Sequence, residues 1–276
     1  MMRGMRLSGA AWSWVGASLA ESAAIYRALG VGALDLIAIP GKPLDTYQIA
    51  VDPQEQARRV QNLDMELSNL LMFFGTDFHD RALNAPDPQV RQQNFETFKR
   101  VLEFCAAASV HSVVVLPGVQ QKGYSRHAAL EWTSIELNRM NKLAKEAGVV
   151  LTYEPHVESI LATPQDILQF AKNNSDLRLV IDYSHAISLG FPASDLEHLV
   201  PYAGHVHLRQ ATQGKIQARW EEGVIDVAAL MRRLQQTGYK GYLTLEYEHD
   251  PFWDMDQCDV MTETIKMRDA VLPFVS

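Results

Sequence analysis

The heptapeptide GHVHLRQ, Gly204 to Gln210, sets His205, His207 and Arg209 at alternate positions. Side chains of a β-strand alternate between its two faces, so these three share one face at successive heights. Three acids belong with them, because each closes a short apolar run: Glu154 ends VVLTYE, Asp182 ends LRLVID and Glu246 ends GYLTLE. A buried carboxylate is costly unless it is paired or bound to a cation. Three of them converging on one point would repel one another, and a divalent ion relieves that repulsion. Three oxygen ligands and one imidazole suit a fairly hard ion. One divalent metal ion is therefore expected on Glu154, Asp182, His207 and Glu246, Mn2+ ahead of Mg2+, Co2+ or Zn2+. His205, one layer below His207, is expected to pack and hydrogen-bond in a core. Arg209, one layer above, is placed to meet a hydroxyl or phosphate of a substrate. His156, two residues after Glu154, is a second substrate contact if the strand continues past Pro155.

Such residues have to be gathered by the elements that carry them. Eight apolar runs punctuate the chain: MRLSGA, ALDLIAI, ELSNLLMF, HSVVVLP, VVLTYE, LRLVID, GHVHL and GYLTLE. Between them lie longer amphipathic stretches with helix-start signals. Ser18 with Glu21 forms a capping box, Asp52-Pro53 is followed by Glu55, Thr163 precedes Pro164, and Asp226 caps a later helix. Helices are expected over Pro88–Ala108, Arg126–Ala147 and Met261–Val271. Eight strand–helix units of about 35 residues without a low-complexity linker predict one α/β domain over residues 1–276, a single (β/α)8 TIM barrel. A doubly wound open sheet would need a glycine-rich phosphate loop after the first strand, and none is present. Barrel active sites form at the C-terminal ends of the strands, where the four proposed ligands fall. The fourth strand ends instead in Leu116-Pro117-Gly118, which offers no ligand.

The chain has 276 residues, 47% of them hydrophobic, and a formal charge of −8. That acidic balance argues against a nucleic-acid partner, which needs clustered Lys and Arg. No run approaches the roughly 18 apolar residues that span a bilayer, so no membrane partner is expected. The opening MMRGMRLSGAAWSWVGASLA has leader-like features, but Ser8, Ser13 and glycines interrupt its apolar part and cleavage would remove the first strand. A cytoplasmic location is the expectation. Cys105 and Cys258 have no metal or redox spacing and are expected as free thiols.

TYEPHVESILATPQDIL, LVIDYSH, HVHLR and EEGVIDVAAL…GYLTLEYEH resemble the xylose isomerase-like barrel family, which includes sugar-phosphate isomerases and epimerases, ketose 3-epimerases, hydroxypyruvate isomerases and inosose dehydratases. DPQVRQQNFETFKRVLEFCAAASVHSVVVLPG extends the resemblance to nearly the whole chain. The resemblance implies the same four metal ligands and assigns a substrate-binding histidine to His185, three residues after Asp182. It assigns Glu158 to a glutamate that ketose 3-epimerases use near the substrate. Two departures concern the substrate. HLRQ replaces the common HLKD, and the arginine that follows the metal histidine in ketose 3-epimerases has only Arg219 as a candidate, with Gln213 near its expected place. Family members are often oligomeric, which makes a homo-oligomer an expectation.

These residues suit proton movement beside a carbonyl. Glu154 and Glu246 are the expected acid/base pair, with His185 polarising a hydroxyl. The resulting expectation is a metal-dependent isomerase or epimerase of a small carbohydrate or keto-acid substrate. A dehydratase of inosose or dehydroshikimate type would use the same enolate to expel a hydroxyl. Two further alternatives are an apurinic-site endonuclease, for which only His79 and His111 lie near the third and fourth strands, and a sugar-binding barrel without activity. Trp12, Trp14, Phe252 and Trp253 are expected as pocket walls, packing residues or a subunit contact.

Overall fold

In a computed structural model, residues 4–275 are described. The eight runs form eight parallel strands: β1 (Arg6–Ala10), β2 (Ala33–Ala38), β3 (Glu66–Met72), β4 (Ser112–Val115), β5 (Val150–Tyr153), β6 (Arg178–Ile181), β7 (Ala203–Leu208) and, after a short hairpin, β10 (Tyr242–Leu245). Each pairs with its neighbour, and β10 pairs with both β7 and β1, which closes the barrel. The leader-like opening is therefore structural from Arg6 onward, whereas Met1, Met2 and Arg3 lie outside the described residues.

Helices surround the barrel: α1 (Leu19–Ala28), α2 (Thr46–Val51), α3 (Pro53–Gln61), α4 (Pro88–Ala108), α5 (Arg126–Glu146), α6 (Pro164–Asn173), α7 (Tyr183–Ser188), α8 (Val227–Gln236) and α9 (Val260–Val271). The expected caps are in place. Ser18 Oγ accepts from the Glu21 amide at 3.2 Å while Glu21 accepts from the Ser18 amide at 2.8 Å. Asp52, Thr163 and Asp226 accept from the amides of Glu55, Asp166 and Ala229. These bonds satisfy amides that the first helical turn leaves unpaired.

Two features went unanticipated. α2 is only six residues long, and a hairpin of β8 (Gln210–Thr212) and β9 (Lys215–Ala218) follows β7. Both are too short to show a period.

The principal core lies between barrel and helices, with Leu34, Leu36, Leu70, Phe98 and Leu243 fully buried. Gly9 permits one close approach beside the closing strands. A Cβ there would fall 2.2 Å from the Tyr26 ring. Tyr26 crosses β1 at that point and donates to the Leu245 carbonyl of β10 at 3.2 Å.

A smaller apolar cluster forms inside the barrel, where Leu71, Val114 and Val180 pack under Trp12, Ile37, Phe73 and Leu116. A separate set of buried polar side chains crosses the interior from Ser8 and Ser68 to Asp35, Asn69 and Ser112. Among the described residues no helix is long and apolar enough to cross a membrane. Cys105 is buried, Cys258 is partly exposed, and both are free thiols.

Candidate metal centre and active site

Glu154, Asp182, His207 and Glu246 converge as expected: one ligand atom from each lies within 4.8 Å of the others. They stand at or just beyond the C-terminal ends of β5, β6, β7 and β10, four consecutive strands of the closed barrel. His207 Nδ1 is 2.7 Å from Glu154 Oε1 and 3.3 Å from Glu246 Oε2. All three atoms are buried without a hydrogen-bond partner. Unsatisfied buried acceptors facing one another are costly, and a cation or a proton between them removes that cost. The donor set therefore fits a divalent ion.

A further residue, absent from the sequence reading, fixes the imidazole. Asp35, fully buried on β2, lies with Oδ2 3.3 Å from His207 Nε2, 2.8 Å from His205 Nε2 and 3.0 Å from the Thr244 hydroxyl that donates to it. Its other oxygen accepts from Asn69 Nδ2 at 2.9 Å. With Nε2–H donated to Asp35, Nδ1 keeps its lone pair toward Glu154 and Glu246, the orientation a metal-binding histidine needs. Asp35, His205 and His207 form the second ligand-bearing group found among the described residues. His205 is buried in this network, as expected of a core histidine. The lone acid inside ALDLIAI was the signal that could have found Asp35.

Electrostatics follow this geometry. Burial opposes charge on His207, but Glu246 and Glu154 outweigh it and raise the imidazole well above its ordinary value. Burial likewise opposes ionisation of Asp182, yet the Arg209 guanidinium at 2.9 Å holds that carboxyl well below the usual range. Burial also opposes ionisation of Asp35, and His205 and His207 hold it low.

Arg209 lies above His207, as the alternation required. Nearly all of it is buried. Its Nε donates to Ser184 Oγ at 2.9 Å, and its Nη atoms reach Asp182 Oδ2 at 2.9 Å and Glu248 Oε1 at 3.0 Å. Glu246 Oε2 is 3.4 Å away. Glu248 also escaped the sequence reading, although its spacing of two from Glu246 was a usable signal. Burial and the neighbouring Glu246 push its carboxyl upward.

A cavity of about 1090 Å³ opens over these groups. Glu154, Glu246, His156, His185, Arg209, Glu248 and Glu158 line it, whereas Asp182 and His207 lie behind them. His185 sits 3.5 Å from Asp182 and 3.4 Å from Arg209, and burial lowers it to about 4 despite Asp182, so its ring is neutral near pH 7. Burial lowers His156 well below its ordinary value too, and neither ring nitrogen has a partner. Glu158 is exposed at the rim and accepts from Trp253 Nε1 at 3.1 Å. Trp253 and Asp254 both have φ of 56°, a left-handed conformation uncommon for such residues. The Trp253 ring stacks on Phe78 at 5.7 Å, with Phe252 beside it, and together they form one wall.

Arg219 is exposed just past β9 and is not among the residues lining the cavity. The hairpin redirects the chain there, which the sequence reading did not include. His79 lines the cavity, but neither it nor His111 belongs to either ligand-bearing group among the described residues.

Residues 23–269 match the family model of the xylose isomerase-like TIM barrel, and the chain belongs to that family. It is similar to the inosose dehydratase of Clostridium perfringens, with 27% identity over 144 residues covering 44% of this chain and 48% of that protein. Against the inosose dehydratase of Yersinia enterocolitica the values are 25% over 146 residues, 44% and 49%. The chain thus spans about half the length of the curated relatives it matches. Among solved structures it resembles D-psicose 3-epimerase with D-tagatose from Clostridium cellulolyticum H10, with TM-score 0.74, 16% identity and coverage of 96% and 97%. It also resembles the IOLI protein with a bound zinc atom, with TM-score 0.73, 17% identity and coverage of 99% and 100%. At these identities the structural likeness is one of fold.

Proposed function

We propose that this chain is a divalent-metal-dependent isomerase or epimerase of a small sugar or keto acid, acting by proton transfer beside a carbonyl. The observation that carries this reading is the convergence of Glu154, Asp182, His207 and Glu246, one ligand atom from each within 4.8 Å of the others, beneath an open cavity. Glu154, Asp182, His207 and Glu246 would hold the ion, with Mn2+ ahead of Mg2+, Co2+ or Zn2+ for so oxygen-rich a set. When bound, it supplies Lewis-acid stabilisation of negative charge on neighbouring substrate oxygens.

The remaining chemistry belongs to the side chains. Glu154 and Glu246 both line the cavity and come from the two ends of the four-strand arc. One removes the proton on carbon, and the other returns a proton from the opposite side. Neutral His185 donates to or accepts from a substrate hydroxyl, and His156 offers two free ring nitrogens nearby. Arg209 holds Asp182 in place and keeps a fixed positive charge at the site. Residues 1–276 would work as one catalytic barrel of the cytoplasm, without nucleic acid or membrane.

Similarity to inosose dehydratases favours a second reading, in which the same proton abstraction is followed by loss of a β-hydroxyl. One experiment serves both. Ketoses, keto acids and inososes are incubated with the Mn2+-loaded protein in D2O. Deuterium on carbon without loss of water supports isomerisation or epimerisation. A dehydrated product supports the lyase. Absence of deuterium from the products of every active substrate would sink the proton-transfer mechanism.

A further inference from the structure

The barrel mouth is divided by chemistry. Strands β5, β6, β7 and β10 end in Glu154, Asp182, Arg209 and Glu246, whereas β1 to β4 end near Trp12, Ile37, Phe73 and Leu116. The cavity does not stop at this apolar half. It continues into a cleft bounded by Val15 and Leu19, by Ile39 and Leu44 after β2, and by Val60 and Leu63 in and after α3. None of these six side chains can hydrogen-bond. Beside them Ser18 is engaged with Glu21 in the capping box and Arg59 with Gln56 Oε1 at 2.6 Å, while the exposed Lys42 stands at the rim.

A carbohydrate ring needs a partner for each buried hydroxyl, because an unpaired polar group is penalised on transfer from water. The six side chains that bound the cleft provide none. The whole cavity of about 1090 Å³ also exceeds what one monosaccharide fills, since pockets of roughly 300–1,000 Å³ suit drug-sized ligands. At the polar half, Glu154, Asp182, Glu246 and Glu248 face one guanidinium and, once loaded, one dication. No surplus positive charge remains there to draw a phosphate.

We infer that the substrate is an amphiphilic carbohydrate, a sugar ring bearing an apolar aglycone. Its ring lies over Glu154 and Glu246, and its aglycone lies in the cleft between Leu19 and Leu44. Trp12 and Phe73 form the floor where the two halves meet. The inference rests on the proposed proton-transfer function and names the substrate class for that same site.

Calorimetric titration of the Mn2+-loaded protein with D-glucose, methyl β-D-glucopyranoside, phenyl β-D-glucopyranoside and glucose 6-phosphate tests it. The phenyl glycoside is expected to bind at least tenfold more tightly than the methyl glycoside or free sugar. Leu19→Trp, which fills the cleft from a partly exposed position, is expected to erase that preference and leave Mn2+ affinity unchanged. Val15→Asp, at an exposed position, is expected to reduce it as well. Equal affinities for all four ligands, absence of binding by any of them, or a preference for the phosphate would overturn the inference. So would a phenyl preference that survives both substitutions.

Deuterium exchange into 3-keto derivatives of the methyl and phenyl glycosides separates the two claims. Exchange into both without a phenyl preference in binding defeats only the substrate class. Tight phenyl binding with exchange into neither defeats only the proton-transfer reading.

Discussion

Asp35 and His207 stand 172 positions apart in the chain and meet inside the barrel, with Oδ2 3.3 Å from Nε2. That contact leaves His207 Nδ1 facing Glu154 and Glu246. Asp35→Asn keeps the size of the side chain but leaves one oxygen to serve the partners that now use two. Metal affinity is expected to fall about 10–100-fold, measured by competition with a chromophoric chelator. An unchanged affinity in a folded variant would show that Asp35 does not position the imidazole.

Charge on His207 gives a prediction about pH. In the metal-free protein its value lies well above the ordinary 6.5, because Glu246 and Glu154 outweigh burial. A raised value contributes stability that is fully present below about 6.5 and is lost as pH rises through the folded value. The chelator-treated protein should therefore lose thermal stability as pH climbs above neutrality. Metal binding must displace that proton, so titrations at pH 7 in buffers of different ionisation heat should report release of about one proton per ion. Binding without proton release would place the ion elsewhere.

Glu154→Gln and Glu246→Gln each remove a carboxylate that faces both the metal cluster and the cavity. Each is expected to slow deuterium exchange by roughly 10²–10⁴-fold. Saturating Mn2+ should not restore the rate, whereas a variant impaired only in holding metal would recover.

Trp253 closes one wall through its contacts with Phe78 and Glu158. Trp253→Ala should raise KM by roughly two- to tenfold, since such aromatic contacts contribute about 0.5–1.5 kcal/mol. kcat should change less. Glu158→Gln retains an acceptor for the indole N–H, so its KM should stay near that of the parent. A strong fall in kcat for Glu158→Gln would instead place that carboxylate in the chemistry.

The barrel was legible because each strand is a compact apolar run and most helices carry their own cap. Ser18, Asp52, Thr163 and Asp226 could be read locally, since a cap is a contact over three residues. Glu154, Asp182, His207 and Glu246 stood out because a charged or ligating residue ended each run. Asp35 did not, because its partners come from strands far away in sequence and a lone acid in a strand reads as an irregularity. The position of Arg209 above His207 followed from alternation. Its grip on Asp182 and Glu248 needed the packing of β6 and the loop after β10. Arg219 fell outside the cavity because the hairpin after β7, with strands of three and four residues, turns the chain at Gly214 below the reach of any periodic pattern.

That hairpin has a mechanical consequence. From β9, Gln217 receives the Glu248 amide at 2.8 Å and donates to the carbonyls of Glu248 and Met255. Gln210, at the start of β8, likewise accepts from the Ile225 amide and donates to its carbonyl. The loops behind the polar half of the mouth are thus sewn together by side-chain amides that carry no charge and do not titrate. Ligand groups braced in this way need little reorganisation on binding, so less of the interaction energy is spent on ordering them. The hairpin acts as a preorganising strut for a centre whose chemistry it never touches.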